Sequence, residues 1–511
     1  MNKKTNKRDG NSTSVWESAF TSLTSKQKIN DTYDVVIVGA GITGISTALE
    51  LQNIGLNCLV TEANYIGSGT TGGTSAHLNT FLDATYPEIE SDFGKQAAVL
   101  IAKASKEAIA SIKQNVSTYQ ISADLEDRTA YLYAEDEQQD KMLEDIFEAS
   151  KRVKIKVKKA TDAPFPMAYT SALIFDEQAQ FHPIKYLNGL VKALLKKGGQ
   201  ILEQSPFLES KFEEGQHLIK LSNHLVKAKH LVYATHTPPG INLLNFRCAP
   251  YRSYVVAAKL KDAPYPDSLW YDMQEPYHYW RTHVIDGEPY LLVGGEDHKT
   301  GQGNPEEALE NLKTYVKQYY EVEDFPFEWS SQYYVPVDGL PYIGQMPMSD
   351  EPTWIATGYN GNGMIWGTMS AKIIADLITE QKNEYADLLS PSRLKPVAGF
   401  SEFVKENANV AWRFIADRFT AEQIDEVEAM EPLAGKVIDT SSGKIAVHKT
   451  KSGKVKAISA VCTHAGCIVN FNPLEQTWDC PCHGGRYNIE GKVLTGPPLK
   501  NLDNVNWDEL K

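Results

Sequence analysis

The chain has 511 residues, 42% of them hydrophobic, and a formal net charge of −14. That length supports two or three globular domains, and the acidic balance disfavours nucleic acid and anionic membrane surfaces as partners. No stretch approaches the ~18 uninterrupted apolar residues of a spanning helix, so no integral membrane segment is expected. Residues 1–30 are polar and rich in Lys, Ser, Thr and Asn, without the apolar core of a secretory signal. They predict a polar N-terminal tail in which a short segment around Trp16 to Leu23 docks. Only Cys58 and Cys248 fall outside the C-terminal Cys/His loops, a frugality that fits a reducing, cytoplasmic location.

Val35-Val36-Ile37-Val38 is a continuous apolar run, the pattern of a strand buried on both faces. Gly39-Ala40-Gly41-Ile42-Thr43-Gly44 follows at once, then a helical stretch over 45–52 and a second strand over 57–60 that leads to Glu62. Strand, GxGxxG, helix and an acid about 20 residues on make a complete dinucleotide-binding unit. The glycines let the backbone approach a pyrophosphate at the helix N-terminus, and Glu62 is placed for a ribose hydroxyl.

The middle of the chain reads as mixed α and β. A helical pattern over 97–112 precedes a strand-like run over 129–133, and 247–333 is rich in Tyr and Trp. Most of these aromatics are expected to pack a sheet, with a few closing a dry, shaped pocket. Arg252, Tyr254, Tyr279, Arg281 and His298 are the candidate substrate groups. An arginine could clamp a carboxylate bidentately, and an ordinary salt bridge is the alternative for either one.

A second glycine-rich region, Val337-Asp338-Gly339-Leu340-Pro341 and then Ala356-Thr357-Gly358-Tyr359-Asn360-Gly361-Asn362-Gly363-Met364, opens an apolar helical stretch over 365–378. Such a helix start aims amide donors at an anion, as the pyrimidine edge of a reduced flavin would require. No second strand–GxGxxG–helix occurs, which disfavours reduction by a bound nicotinamide. These segments, with Ile66-Gly67-Ser68-Gly69-Thr70-Thr71-Gly72-Gly73 and His230-Leu231-Val232-Tyr233-Ala234-Thr235-His236, resemble the D-amino-acid oxidase superfamily, which includes glycine and sarcosine oxidases. The resemblance covers about residues 31–385.

It implies an α/β fold, a Rossmann-like FAD-binding domain (about 31–90, 160–246 and 334–385) with an interleaved α+β substrate part (about 91–159 and 247–333). It implies FAD contacts from Gly39, Gly41, Ile42, Thr43, Gly44, Glu62, Thr70, Thr71, His77, Thr235, Gly339, Gly358, Asn360, Gly361, Gly363 and Met364. His77 is expected near the flavin without a covalent link, since its surroundings do not match relatives that attach FAD to histidine. His236 is expected near the adenosine. Residues 386–430 carry Pro391 and Pro396 and then Phe403, Val410, Trp412, Phe414, Ile415 and Phe419, predicting a packed helical connector rather than a flexible tether.

Near the C-terminus, Cys462-Thr463-His464-Ala465-Gly466-Cys467 and Cys480-Pro481-Cys482-His483-Gly484 form two Cys/His loops flanked by strand-like segments. Two thiolates and two imidazoles make a metal site, and structural zinc is one reading. The spacing Cys-x-His-x15-Cys-x2-His, with Gly496-Pro497-Pro498, resembles the Rieske [2Fe-2S] family, in which two cysteines hold one iron and two histidines the other. The resemblance implies a small all-β domain over 431–511, ligands Cys462, His464, Cys480 and His483, and a Cys467–Cys482 disulfide. High-potential members carry a serine where this chain has Gly485, while Tyr487 keeps its place. Fewer donors to sulfur predict a lower midpoint within the family range of roughly −150 to +300 mV.

Together these imply an FAD-dependent dehydrogenase acting on a C–N bond of a small amine or amino acid. Its Rieske centre would pass electrons singly to an external carrier protein or quinone, and direct reaction with O2 would be slow. A non-enzymatic flavin/iron-sulfur relay or redox sensor, and a reductase fed through the cluster, are the alternatives.

Overall fold

The computed structural model describes residues 10–21, 28–261, 263–394, 427–441 and 443–509. Most of the expected connector, including Phe403, Val410, Trp412, Phe414, Ile415 and Phe419, lies outside the described residues.

The buried run Thr32–Val38 pairs in parallel with Cys58–Thr61 on one side and Leu225–Tyr233 on the other. Gln200–Leu202 and Thr353–Thr357 extend the parallel sheet outward, and Tyr342–Gln345 closes one edge antiparallel. Helices Ile42–Asn53, Pro183–Lys196 and Gly363–Ile378 cover one face. The hairpin Phe207–Glu213 with Gln216–Leu221 covers the other, packing Phe207, Ile219 and Leu221 onto Val36, Val38 and Leu59. Burial on both faces is why the first strand reads as unbroken Val and Ile.

A second, nine-stranded sheet runs Val322–Pro336, Cys248–Leu260, Glu288–Lys299, Tyr279–Ile285, Leu269–Tyr271, Glu126–Ala134, Ser171–Gln180 and His77–Leu78, with Val157–Lys159 added beside Ser171–Gln180. The strand Ser171–Gln180 belongs to this sheet rather than to the FAD-binding half in which sequence boundaries put it. Its long antiparallel pairing with Glu126–Ala134 accounts for that. Successive side chains on a strand face opposite ways. One face of this sheet looks onto the nucleotide-binding layer, and the other is packed by helix Pro305–Tyr319 through Ala308, Leu309, Leu312 and Val316.

The C-terminal module is all β. Gly435–Thr440, Gly443–Lys449, Val455–Ser459 and Asn504–Val505 form one sheet. Asn470–Asn472, Thr477–Asp479, Arg486–Asn488 and Val493–Thr495 form the second, from whose ends the Cys/His loops project. It rests directly on the larger sheet, where Asn470 donates to the Gly301 carbonyl at 2.8 Å and Gln332 to the Gly484 carbonyl at 3.0 Å.

The N-terminal segment is docked over 10–21. Trp16 is fully buried, its Nε1 donating to the Thr74 carbonyl at 2.7 Å, while Ser14 donates to the Gly72 carbonyl at 2.7 Å. The indole packs on His182 and His283, with the Arg281 guanidinium 5.6 Å from its ring centre. Trp16→Ala is therefore expected to cost about 3–5 kcal/mol in a denaturant titration, the range for deleting a buried aromatic. It is also expected to loosen the 70–76 segment that this tail buttresses.

Candidate functional site

A cavity of about 940 Å³ lies between the two large sheets. The GxGxxG turn forms one wall. A side chain at Gly39 would meet the Ala234 carbonyl at 2.4 Å, and one at Gly44 would meet the Gly39 carbonyl at 1.9 Å. Gly41 caps helix Ile42–Asn53 without a side chain of its own, and the Ile42 amide donates to the Thr71 hydroxyl at 3.0 Å, so the positive end of the helix faces the cavity beside Thr43. Glu62 accepts from the Ala40 and Asn64 amides and also borders the cavity. At the far end, helix Gly363–Ile378 starts from Asn362 without a side-chain cap, and Gly339, Asn360, Gly361, Gly363 and Met364 line the wall. Two helix starts facing one cavity fit a ligand with anionic groups at both ends, as FAD has in its pyrophosphate and pyrimidine edge.

Thr70, Thr71, His77 and Thr235 also line the cavity. Gly44 and Gly358 do not. Gly44 provides close helix packing, and Gly358 takes φ +72° in a turn against Cys248 and Pro336. His236, expected beside the adenosine, packs edge-on to Tyr334 with ring centres 4.7 Å apart and pairs with Thr70.

Strand alternation divides the substrate candidates. On Cys248–Leu260, Tyr251, Ser253 and Val255 face the cavity, so Arg252 and Tyr254 point the other way. The expected carboxylate clamp by Arg252 is corrected on this ground: its guanidinium meets Ser330 at 2.6 Å and Glu475 of the C-terminal module at 3.5 Å. His298 is likewise turned away, its Nε2 2.8 Å from the Tyr254 hydroxyl, and with Arg252 it borders a separate 230 Å³ cavity against the C-terminal module. Arg281 is fully buried but does not line the cavity; it donates to the Ser75 and Ala76 carbonyls at 2.7 and 2.9 Å. Burial pushes its pKa down to about 9, against the opposing pull of the Glu126 carboxylate. Tyr279 alone of the five lines the cavity.

Residues that sequence reading did not single out complete this end. Asp297 accepts from the Tyr333 hydroxyl at 2.7 Å, and burial raises its carboxyl pKa to about 7. Asp83 accepts from the Gly361 amide at 2.6 Å. His77 Nδ1 contacts the Tyr271 hydroxyl, which itself accepts from Asn79 at 2.7 Å. Burial and the nearby Arg281 hold the His77 ring neutral.

In the C-terminal module the four expected ligands converge under a proline loop. The His464 and His483 rings lie 4.8 Å apart, and Cys462 and Cys480 are buried free thiols. Cys467 and Cys482 are joined in a disulfide that ties the two loops. The sulfurs of Cys467, Cys480 and Cys482 lie within 4.8 Å of one another, but the bridged pair has no thiolate to offer a metal. Nδ1 of His464 and of His483 is buried without a hydrogen-bond partner among the described residues. Burial pushes the His483 pKa down to about 3, so it presents a neutral ring nitrogen. Two neutral imidazoles with open Nδ1 atoms and two thiols fit a Cys2His2 [2Fe-2S] cluster.

His464 Nε2 donates to the Gly240 carbonyl at 3.2 Å, a bond from the larger domain that leaves Nδ1 as the open ring nitrogen. His483 packs on Phe246, and its carbonyl accepts from Tyr334 at 3.2 Å. Gly484 takes φ +73° where the domains meet most closely, and a side chain there would strike Pro250, Gln332 and Tyr334 within 2.8 Å. Leu494, Thr495 and Gly496 of the proline loop reach the large cavity itself.

The Tyr487 hydroxyl lies 3.2 Å from Cys462 Sγ. Tyr487→Phe is expected to lower the cluster midpoint by about 20–60 mV in protein-film voltammetry, the one-electron equivalent of one hydrogen bond. A Cβ at Gly485 would sit 3.7 Å from Cys462 Sγ but only 2.8 Å from Pro498 Cδ. Gly485→Ser therefore has to displace the proline loop before it can raise the potential.

The fold and these two sites define a flavin-dependent oxidoreductase carrying its own iron-sulfur module. The family model for FAD dependent oxidoreductases matches residues 34–377, and that for the Rieske [2Fe-2S] domain matches 418–506. The chain belongs to the FAD dependent oxidoreductase family, binds FAD, and bears a C-terminal Rieske domain that binds a [2Fe-2S] cluster. It is 33% identical over 478 residues to the Bacillus subtilis protein named "Putative Rieske 2Fe-2S iron-sulfur protein YhfW", covering 93% of this chain and 94% of that one. It is 23% identical over 376 residues to gamma-glutamylputrescine oxidoreductase of Escherichia coli, covering 70% and 87%. Among solved structures, glycine oxidase from Geobacillus kaustophilus shares the fold at a TM-score of 0.60 and 16% identity, over 71% of this chain and all of that one. Among the described residues no helix is long and apolar enough to cross a membrane.

Proposed function

We propose that the protein dehydrogenates a C–N bond of a small amine or amino acid and passes the electrons singly, through the Rieske centre, to an external carrier in the cytoplasm. One observation carries the reading. His236 on the cavity wall packs on Tyr334, and Tyr334 bonds the backbone of His483. The two sites thus share a wall of directly contacting side chains.

Bound in these sites, FAD supplies two-electron acceptance and the cluster supplies one-electron transfer. The chain's residues do the rest. Cys462, His464, Cys480 and His483 are the proposed cluster ligands. The tyrosines and Val255 exclude water from the reacting end, and Asp297 with Tyr333 holds a proton-accepting oxygen on the cavity wall. The amine named in the Escherichia coli relative supports the C–N assignment.

His464 and His483 are only 8% and 3% exposed, covered by the larger domain. A quinone cannot bond to them in this arrangement, which favours a carrier protein docking on the outer side around the exposed Val461 and Leu499. Anaerobic titration with amines, amino acids and hydroxy acids is expected to bleach the flavin band with an amine or amino acid, with slow reoxidation by O2. Rapid direct reoxidation by O2 would overturn the role given to the cluster.

A further inference from the structure

Building on the C–N reading above, we propose that the cavity takes a cationic amine lacking an α-carboxylate, its ammonium held by Asp297 within a box of Tyr251, Tyr277, Tyr279 and Tyr333. Tyr251 and Tyr333 pair with ring centres 5.9 Å apart, as do Tyr277 and Tyr279. Ser253 bridges toward the second pair, its hydroxyl 3.2 Å from that of Tyr279. Burial keeps the hydroxyls of Tyr277, Tyr279 and Tyr333 well above their ordinary pKa, so these rings stay neutral. Neutral aromatic faces around one carboxylate are the surroundings an ammonium ion prefers.

Charge points the same way. Among the described residues the cavity is lined by carboxylates, including Asp83 and Asp297, and by no lysine or arginine. The cations nearby are engaged elsewhere. Arg281 donates to the backbone behind His77 and Arg252 faces the Rieske domain, while Lys299 stays outside the lining, over the ring of Tyr251 with its Nζ 6.0 Å from the centre. A substrate carboxylate at this end would sit beside Asp297 and Asp83 with no lysine or arginine among the described lining residues to offset it.

Two of the unfilled hydrogen-bond positions on the cavity wall, beside His77 Nε2 and the Ser331 hydroxyl, are carbonyl-type acceptors. Asp297 Oδ1 is buried with no well-formed hydrogen bond among the described residues, the Ser253 hydroxyl being the neighbour that interacts with the carboxyl, while Oδ2 takes the Tyr333 proton. Asn79 is 6% exposed and lines the same cavity; its Nδ2 is bound to Tyr271 and its Oδ1 has no partner among the described residues. Open acceptors in a dry site ask for a donor-rich ligand, which an alkylammonium is and a carboxylate is not.

The test is isothermal titration calorimetry on the oxidised full-length protein with both cofactors bound, using tert-butylammonium and its carboxylate counterpart pivalate. Neither can be dehydrogenated at a C–N bond, since the carbon next to nitrogen in tert-butylammonium carries no hydrogen. Tert-butylammonium is expected to bind and pivalate not. Asp297→Asn, checked by its melting curve, is expected to weaken the cation about 10- to 100-fold, as loss of a charged hydrogen bond would. Pivalate binding as tightly as the cation, or a folded Asp297→Asn protein that binds the cation unchanged, would overturn the assignment. An amino acid that bleaches the flavin while pivalate also binds would sink this inference and leave the proposed function standing. Cation binding with no amine or amino acid bleaching the flavin would uphold the site and sink the function.

Discussion

Cys480→Ser is expected to abolish substrate-driven reduction of an external one-electron acceptor while leaving anaerobic bleaching of the flavin intact. Cys480 is fully buried, and its loop is pinned by the Cys480 amide to the Gly485 carbonyl at 2.8 Å and by the Gly484 amide to the Cys480 carbonyl at 3.1 Å. A serine keeps that loop and its size but offers an alcohol, not a thiolate, to the iron. Among the described residues the flavin cavity draws its walls almost wholly from the other domain, with only Leu494, Thr495 and Gly496 crossing over. The two halves of the reaction should therefore separate. Iron content and the low-temperature EPR signal of the reduced cluster report one half, and flavin absorbance under substrate reports the other. A persistent Rieske signal in the serine variant would remove Cys480 from the ligand set.

The second large effect lies at the domain boundary. Glu475 of the Rieske domain is buried against Arg252, both 1% exposed, and accepts from Ser330 at 2.6 Å. Ser12 of the N-terminal segment donates to the same carboxylate at 2.6 Å, so one side chain joins three parts of the chain. Glu475→Gln removes the anion and leaves the Arg252 guanidinium buried with weaker compensation, at an expected cost of about 3–5 kcal/mol in denaturant unfolding. Arg252→Met combined with Glu475→Gln is expected to recover much of that loss, since no buried charge is then stranded. Additive losses in this double-mutant cycle would contradict a direct pairing of the two.

Arg252 also shows where sequence reading reaches its limit. Its residue type suits a substrate clamp, and its neighbours Tyr251 and Ser253 do line the cavity. One position along a strand reverses the face, however, and the Tyr/Val/Ala mixture of 251–258 does not betray which face meets the core. The GxGxxG turn and the Cys/His loops were legible because their chemistry is local, with every partner inside one short segment. The box around Asp297 joins residues 83, 251, 277, 297 and 333 from separate strands and loops, and no spacing signals it. A carboxylate between Gly295 and His298 looks like surface until tertiary pairing buries it. The covering of both cluster histidines by the 240–246 turn was hidden for the same reason. The docked tail was half legible, since Trp16 stood out in a polar stretch while its Thr74 and His182 partners did not.

The most direct test of the account is an anaerobic single turnover that follows the flavin band by stopped-flow and the cluster by freeze-quench EPR after mixing with an amine substrate. The account predicts that the flavin bleaches first and that the reduced Rieske signal then grows within the same turnover. A flavin that stays reduced beside an oxidised cluster would contradict it.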